Sequence, residues 1–271
     1  MGNMTVVEAG AVPIVEDKVI AFGGCVENDG MISWVPADAP GFVPLNCYLL
    51  VEGRAGMLVD TGLPVLELQV IEQARRFDLD SVTIALTRFG EFDSVGNAEM
   101  LERVLPIDAC YALFPPRDYL YMRGDAQPPP ASYAFRVFPD DGIMDIGSTR
   151  PLTVLNTRLK LLPTAWIYDH ATKTLFSSDA FSHVLTDDPG TRTVTDEDDR
   201  TTPDGVLRHM LLKWDWLAGA DTAPIRAYVD EVFSTYEVET IAPSYGCILM
   251  GSALVRRHVE MLDDALLEVG A

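Results

Sequence analysis

Histidine and positive charge are both scarce in this chain. Only four histidines occur among 271 residues, and 20 lysines and arginines stand against 41 aspartates and glutamates, for a formal net charge of −21. Nucleic acids and anionic membranes bind proteins through neutralising Lys and Arg side chains. The composition therefore argues against both as partners and is compatible with a basic partner or a cationic ligand. No apolar run approaches the ~18–20 residues that span a bilayer, so no membrane-spanning helix is predicted.

Closely spaced cysteines are missing as well. Cys25, Cys47, Cys110 and Cys247 lie far apart in the sequence, so the chain has no CxxC metal or redox motif. The amino terminus has no basic segment followed by an apolar one, and a secretory signal is not predicted. We therefore expect a reduced, cytoplasmic protein in which Cys47 and Cys110 are core thiols.

Strand and helix patterns alternate along the chain. Short apolar runs on either side of "EGRAG" (52–56) predict a β-hairpin. The segment "PVLELQVIEQARRF" (64–77) has Pro at a first helical position and predicts a helix. A second β-rich stretch is followed by helices, the last of them amphipathic over 252–269. No hydrophilic linker separates the two halves, so the sequence predicts an α/β chain that forms one domain over residues 1–271.

Four segments resemble one known fold, in the same order along the chain. They are "NCYLLVEGRAGMLVDTG" (46–62), "LTRFGEFDSVGN" (86–97), "TLFSSDAF" (174–181) and "IAPSYGC" (241–247). Together they are similar to the metallo-β-lactamase fold, and most of all to the flavodiiron proteins and their flavin-free relatives, the oxygen-binding diiron proteins. The resemblance implies an α/β (α+β) four-layer αββα sandwich with its site at the strand ends, and a homodimer. The chain has no Gly-rich phosphate loop, so we expect no flavin.

The resemblance implies three carboxylate ligands, and this sequence retains all of them. The first motif of the family has the pattern His-x-Glu-x-Asp-His, and Glu91 and Asp93 stand at its two carboxylate positions. Asp179 stands at the position of the bridging aspartate. If any metal binds, these three residues are its expected ligands.

The histidines of the same pattern are replaced. Phe89 and Ser94 stand at the two histidine positions of the first motif, Leu161 or the adjacent Leu162 at the next, and Tyr245 at the last. A diiron centre needs nitrogen donors to set its ligand field and potential. Phe and Leu provide no donor atom, so we predict a degenerate site without a resident cofactor.

Three carboxylates left in one site would repel one another and require compensation. Four alternatives are open: a hard cation such as Mg²⁺, Ca²⁺ or Mn²⁺, a pairing side chain such as Arg88, shared protons, or a cationic ligand. Phe89 and Leu161 would make one wall of the site apolar, which favours an organic ligand.

The chain's own histidines fall outside the family motifs. His183 lies four residues after Asp179 and is a candidate for the pocket. His170 falls in a predicted turn and His258 in the last helix, and both are expected to face solvent. The proline-rich segment 115–133 is expected to be a loop that could cover the pocket.

The leading hypothesis is a small-molecule-binding sensor or a metal-independent catalyst that uses the old pocket. The catalytic candidates are Glu91, Asp93, Asp179 and Tyr245. Tyr245 would act as an acid or hydrogen-bond donor, or would fill the space left by metal and imidazole. The ligand-pocket candidates are Arg88, Phe89, Ser94, Leu161 and His183. Two alternatives remain: an oxidoreductase with one metal on the three carboxylates, and a non-catalytic interaction protein, that is, a pseudoenzyme.

Overall fold

The computed structural model describes residues 5–7, 9–88, 91–114, 132–140, 142–157 and 164–270. Phe89, Leu161, Leu162 and most of the proline-rich segment lie outside the described residues. The predictions made for them therefore have no structural counterpart here.

The described strands form two mixed sheets. They are β1 (Val6–Val7), β2 (Val12–Val15), β3 (Val19–Glu27), β4 (Phe42–Glu52), β5 (Ala55–Val59), β6 (Ser81–Ala85), β7 (Ile107–Ala112), β8 (Ala134–Val137), β9 (Ile143–Ile146), β10 (Arg150–Asn156), β11 (Ala165–Asp169), β12 (Thr174–Ser178), β13 (Thr193–Val194), β14 (Thr240–Pro243) and β15 (Ile248–Met250).

The described α-helices include three long ones in the last third of the chain. They are α1 (Glu67–Ala74), α2 (Phe92–Val95), α3 (Ala98–Leu101), α4 (Pro203–Lys213), α5 (Ala223–Thr235) and α6 (Ser252–Val269). Short 3₁₀ helices cover Pro64–Leu66 and Asp215–Leu217. Two sheets with several helices confirm the predicted α/β class.

The chain divides into two compact units. The amino-terminal unit comprises residues 9–24 and 45–172, and the carboxy-terminal unit comprises residues 1–8, 25–44 and 173–271. The prediction of one domain over residues 1–271 stays a prediction.

In the amino-terminal unit, the predicted hairpin and a parallel ladder set the position of one strand edge. β4 and β5 pair antiparallel, with Tyr48 opposite Val59, and Gly53 at the turn has the positive φ of 62° that favours glycine. β5, β6 and β7 then pair in parallel. Because parallel strands end at the same edge of a sheet, Asp60 after β5 and Arg88 after β6 are brought to one edge.

In the carboxy-terminal unit, a second pair of parallel strands brings two other candidate site residues to one edge of its sheet. β12 and β14 are parallel, and their register places Ser178 opposite Pro243. Asp179 follows the first strand directly and Tyr245 follows the second by two residues. β14 also pairs antiparallel with β15, which pairs in parallel with β13.

Helix α6 has the boundaries that its amphipathic pattern predicts. Its buried face includes Leu254, His258, Met261 and Leu262, which recur at helical spacing. The expectation that His258 faces solvent is wrong, because it lies four residues after Leu254 on the buried stripe and is 0% exposed. No helix in the described part of the chain is both long and apolar enough to cross a membrane.

Candidate functional site

A buried aspartate organises the strand edge of the amino-terminal unit. Asp60 has a φ of 59°, and its carboxylate accepts hydrogen bonds from the backbone N–H of Thr87 (2.8 Å), the Thr87 hydroxyl (2.6 Å) and the Ser94 hydroxyl. Burial, with a further contribution from the charge of Asp93, raises the pKa of Asp60 to about 6. Asp60 therefore links the end of β6 to α2 through its hydrogen bonds. Its buried position makes ionisation of its own carboxyl less favourable.

Arg88 neutralises the next carboxylate. Its guanidinium donates to Oδ2 of Asp93, and the two side chains are only 9% and 5% exposed. The other oxygen of that carboxylate, Oδ1 of Asp93, has no hydrogen-bond partner among the described residues. Of the four ways of compensating the carboxylates, the structure shows a pairing side chain at this position.

Ser94 and Glu91 have different surroundings although they are three residues apart. Ser94 is 0% exposed, and its Oγ accepts from the backbone N–H of Arg88 at 3.1 Å while donating to Asp60. Ser94 therefore acts as a cross-link at a position where the resemblance implies a histidine ligand. Glu91 is the N-cap residue of α2 and is partly exposed, and its side chain does not cap the helix.

Lys213 connects the two candidates of the carboxy-terminal unit. Its ammonium Nζ lies 3.6 Å from Oδ2 of Asp179 and 5.1 Å from the ring centroid of Tyr245. It is also 4.9 Å from the ring of Trp34 and 5.8 Å from that of Trp214. These are cation–π distances, so aromatic faces and one carboxylate lie around the ammonium of a lysine side chain that is only 8% exposed.

The aromatic part of this arrangement is itself packed. The rings of Trp34 and Tyr245 meet edge to face with centroids 5.0 Å apart, and Tyr245 is 4% exposed. Tyr245 therefore packs as an aromatic face beside the ammonium.

A histidine cluster lies in the same unit. Nε2 of His183 is 2.8 Å from Nδ1 of His258, whose Nε2 is 3.1 Å from Oδ2 of Asp199. His209 contacts the hydroxyl of Ser182 at 3.1 Å. Burial lowers the pKa of His209 to about 3, with the Lys213 charge as a second cause, and burial also lowers the pKa values of His183 and His258.

The structure thus groups the predicted residues into two sets, one within each unit. Arg88, Asp93 and Ser94 lie together at the amino-terminal strand edge, and Asp179 and Tyr245 share Lys213. His183 contacts His258. The prediction that Glu91, Asp93, Asp179 and Tyr245 form one pocket stays a prediction.

Sequence reasoning missed Lys213, Trp34 and Asp199. A signal for Lys213 was present, because it follows the buried residues His209 and Met210 by four and three positions on α4. An ammonium on the apolar stripe of a helix requires a partner. The identity of that partner was not readable from the helix.

The residues present do not fit a diiron centre. Among the described residues, no group of three or more His, Cys, Asp or Glu side chains is placed to hold a metal ion. An arginine contacts Asp93 and a lysine contacts Asp179, and a divalent cation close to either group would be repelled. The geometry gives no support to one metal on the three carboxylates.

The two sheets and their helices form the metallo-β-lactamase-type fold of the flavodiiron cores. Solved structures with this fold include rubredoxin oxygen:oxidoreductase from Desulfovibrio gigas (TM-score 0.70, 16% identity, covering 95% of this chain and 61% of that one). The flavodiiron protein from Giardia intestinalis gives a TM-score of 0.65 at 16% identity over 94% of this chain and 59% of that one. The chain therefore spans about three fifths of the length of these two proteins.

A shorter neighbour matches over nearly its whole length. The apo state of the chemotaxis sensor ODP from T. denticola has a TM-score of 0.59 at 17% identity, over 96% of this chain and 93% of that one. No protein-family model matches the chain, and no curated protein matches it by sequence. The structural likeness establishes the fold, and the activity has to be argued from the site.

Proposed function

We propose that this protein is a metal-independent, small-molecule-binding variant of the diiron fold, with a sensor-type role. The observation that carries the proposal is the position of the Lys213 ammonium, which contacts Asp179 and the Tyr245 ring. The resemblance gives metal ligands at both positions. A cation that belongs to the chain itself supplies the positive charge that a metal would bring.

Two further observations support this choice. Arg88 supplies a second internal cation, at Asp93, so both retained aspartates are compensated without a metal. One neighbour that matches this chain over most of both lengths is named as a chemotaxis sensor, and another is named as a fragment of a putative diflavin flavoprotein. The two internal cations, at positions where an oxidoreductase of this fold would need a metal, favour the sensor role.

A metal challenge tests the proposal. The protein is unfolded thermally in EDTA, and then in excess Fe(II), Mn(II) or Zn(II) under anaerobic conditions. A site with a Kd a hundredfold below the metal concentration would stabilise the fold by about 2.7 kcal/mol. We expect no metal-dependent change in Tm for the wild-type protein. Stabilisation by iron that EDTA reverses would contradict the proposal.

The variant Lys213→Met sharpens this test. It leaves Asp179, which is 8% exposed, without its ammonium partner. We expect the variant to unfold at a lower temperature than the wild-type protein, and divalent cations to recover part of the loss. Equal responses of the variant and the wild-type protein to metals would show that Lys213 does not replace a metal charge.

A matched lysine provides the control. Lys173 lies in the same unit and pairs with Glu237 and Glu239, but these side chains are between 38% and 72% exposed. Exposed ion pairs contribute little to stability. Lys173→Met is therefore expected to resemble the wild-type protein in Tm and in its response to metals.

A further inference from the structure

A cavity of about 540 Å³ lies within the carboxy-terminal unit. His183 and Cys247 line it, together with segments 184–187 and 198–202. Its volume falls within the range of small-molecule sites. Lys213 and Asp179 are not among its lining residues, so it differs from the ammonium arrangement described above.

A chain of hydrogen bonds fixes the chemistry that His183 presents to this cavity. Burial opposes ionisation of Asp199, yet hydrogen bonds from Thr201 and Arg257 outweigh it and lower the pKa of Asp199 to about 2. Asp199 is therefore an anion and only accepts hydrogen bonds. Since Nε2 of His258 lies 3.1 Å from it, this nitrogen must carry the proton that is donated.

The tautomer of His258 determines the tautomer of His183 in the same way. A neutral His258 that is protonated at Nε2 has a bare Nδ1, which accepts from Nε2–H of His183 at 2.8 Å. A neutral His183 that is protonated at Nε2 in turn has a bare Nδ1. This nitrogen has no hydrogen-bond partner among the described residues, and His183 is one of the residues that line the cavity.

The charged residues that line the cavity favour one class of hydrogen-bond donor as its ligand. Asp187 and Asp198 contribute two carboxylates against one guanidinium, Arg200, since the third lining carboxylate, Asp199, is already paired with Arg257. That guanidinium donates to the backbone carbonyls of Glu197 and Asp199. The lining therefore disfavours an anionic ligand and favours a cation.

We infer that this cavity binds a small protonated organic amine, whose N–H donates a hydrogen bond to Nδ1 of His183. Val184, Leu185 and Val194 provide apolar wall for the organic part of the ligand. The inference rests on the proposed function in one respect, namely that the protein binds a small molecule. It adds the cavity and the chemical class of that molecule.

Three probes that share one ring test the ligand class. Benzylamine, benzyl alcohol and benzoate are titrated into the wild-type protein by calorimetry, in the presence of EDTA. We expect benzylamine to bind about tenfold more tightly than benzyl alcohol, as a charge-assisted hydrogen bond implies, and benzoate not to bind. Equal binding of amine and alcohol, or no binding of the amine, would overturn the inference.

Variants and a tautomer measurement locate the site. His183→Leu is expected to weaken benzylamine about tenfold, whereas His170→Leu, at an exposed histidine, is expected to leave it unchanged. If His183→Leu does not fold, ¹⁵N-detected imidazole spectra of the wild-type protein still decide. Protonation at Nε2 of both His183 and His258 is expected, and a proton on Nδ1 of His183 would contradict the inference.

The two proposals fail in different ways. Failure of benzylamine to bind, with no metal response, would remove only the amine site. A metal-stabilised wild-type protein that still binds benzylamine would remove only the metal-independent function.

Discussion

The two units of this protein bury ionisable groups in different ways. In the amino-terminal unit, Asp93 and Asp169 each pair with a buried arginine, while Asp60 accepts hydrogen bonds from hydroxyl and amide donors. In the carboxy-terminal unit the buried groups are mostly bases, with one lysine among aromatic rings and three histidines whose pKa values are lowered. Buried charge is therefore compensated locally, with different chemistry in each unit.

Because of this difference, the contributions of buried acids and buried bases to stability depend on pH in opposite directions. An acid whose folded pKa is raised, such as Asp60, stabilises the fold below its unfolded pKa, and this contribution is lost as the pH rises through about 6. A base whose folded pKa is lowered, such as His209, contributes stability above its unfolded pKa of 6.5. That contribution is lost as the pH falls toward about 3. Acidification therefore increases the contribution of Asp60 to the stability of the fold and decreases that of His209.

Removal of Arg88 is expected to have the largest effect. Arg88→Met leaves the buried carboxylate of Asp93 without its cation and beside Asp60, which costs about 3–5 kcal/mol of unfolding free energy. Denaturant titration measures the loss. The double variant Arg88→Met/Asp93→Leu should recover most of it, because no uncompensated charge remains.

An exposed arginine in the same unit controls for the change of side chain. Arg54 pairs with Asp78 and Asp80 on the surface. Arg54→Met should leave the denaturation midpoint near that of the wild-type protein. A loss for Arg88→Met no larger than that of the control would mean that the Arg88–Asp93 pair is not what stabilises this strand edge.

The pH response of His209 is expected to be the next largest. With a folded pKa of about 3 and an unfolded value of 6.5, it should cost about 2 kcal/mol of stability between pH 7 and pH 5. In His209→Gln this part of the pH dependence should disappear. Denaturation at several pH values measures it, with exposed His170→Gln as the control. A wild-type slope retained by His209→Gln would assign the effect elsewhere.

Asp60 is expected to act in the opposite direction and more weakly. Relative to Asp60→Asn, the wild-type protein should gain about 1 kcal/mol of unfolding free energy between pH 7 and pH 5, as the carboxyl is protonated. The same denaturation series measures this difference. A relative loss on acidification would show that Asp60 is not held with a raised pKa.

Much of the fold was readable from the sequence. The hairpin at "EGRAG" and the closing helix 252–269 follow from local turn chemistry and helical periodicity, and both are confirmed. The motif order predicted the fold, which the structural neighbours confirm. It also located Asp179 and Tyr245, which follow two parallel strands.

The partners that compensate the charged side chains of the site could be predicted less well from the sequence. Lys213 is distant in sequence from Asp179, and no periodicity connects α4 to the end of β12. The burial of His258 was within reach, because its position on the stripe of α6 is a local property. Its hydrogen bonds to His183 and Asp199 could not be predicted from the sequence, because they depend on how segments that are distant in the sequence pack together.

The central claim is that side-chain cations of this protein have taken the place of the metals. The most direct test is elemental analysis of the protein, produced in medium supplemented with iron, manganese and zinc and purified without chelators. Far less than one equivalent of any of these metals per chain is expected. Two equivalents of iron or zinc per chain would contradict it.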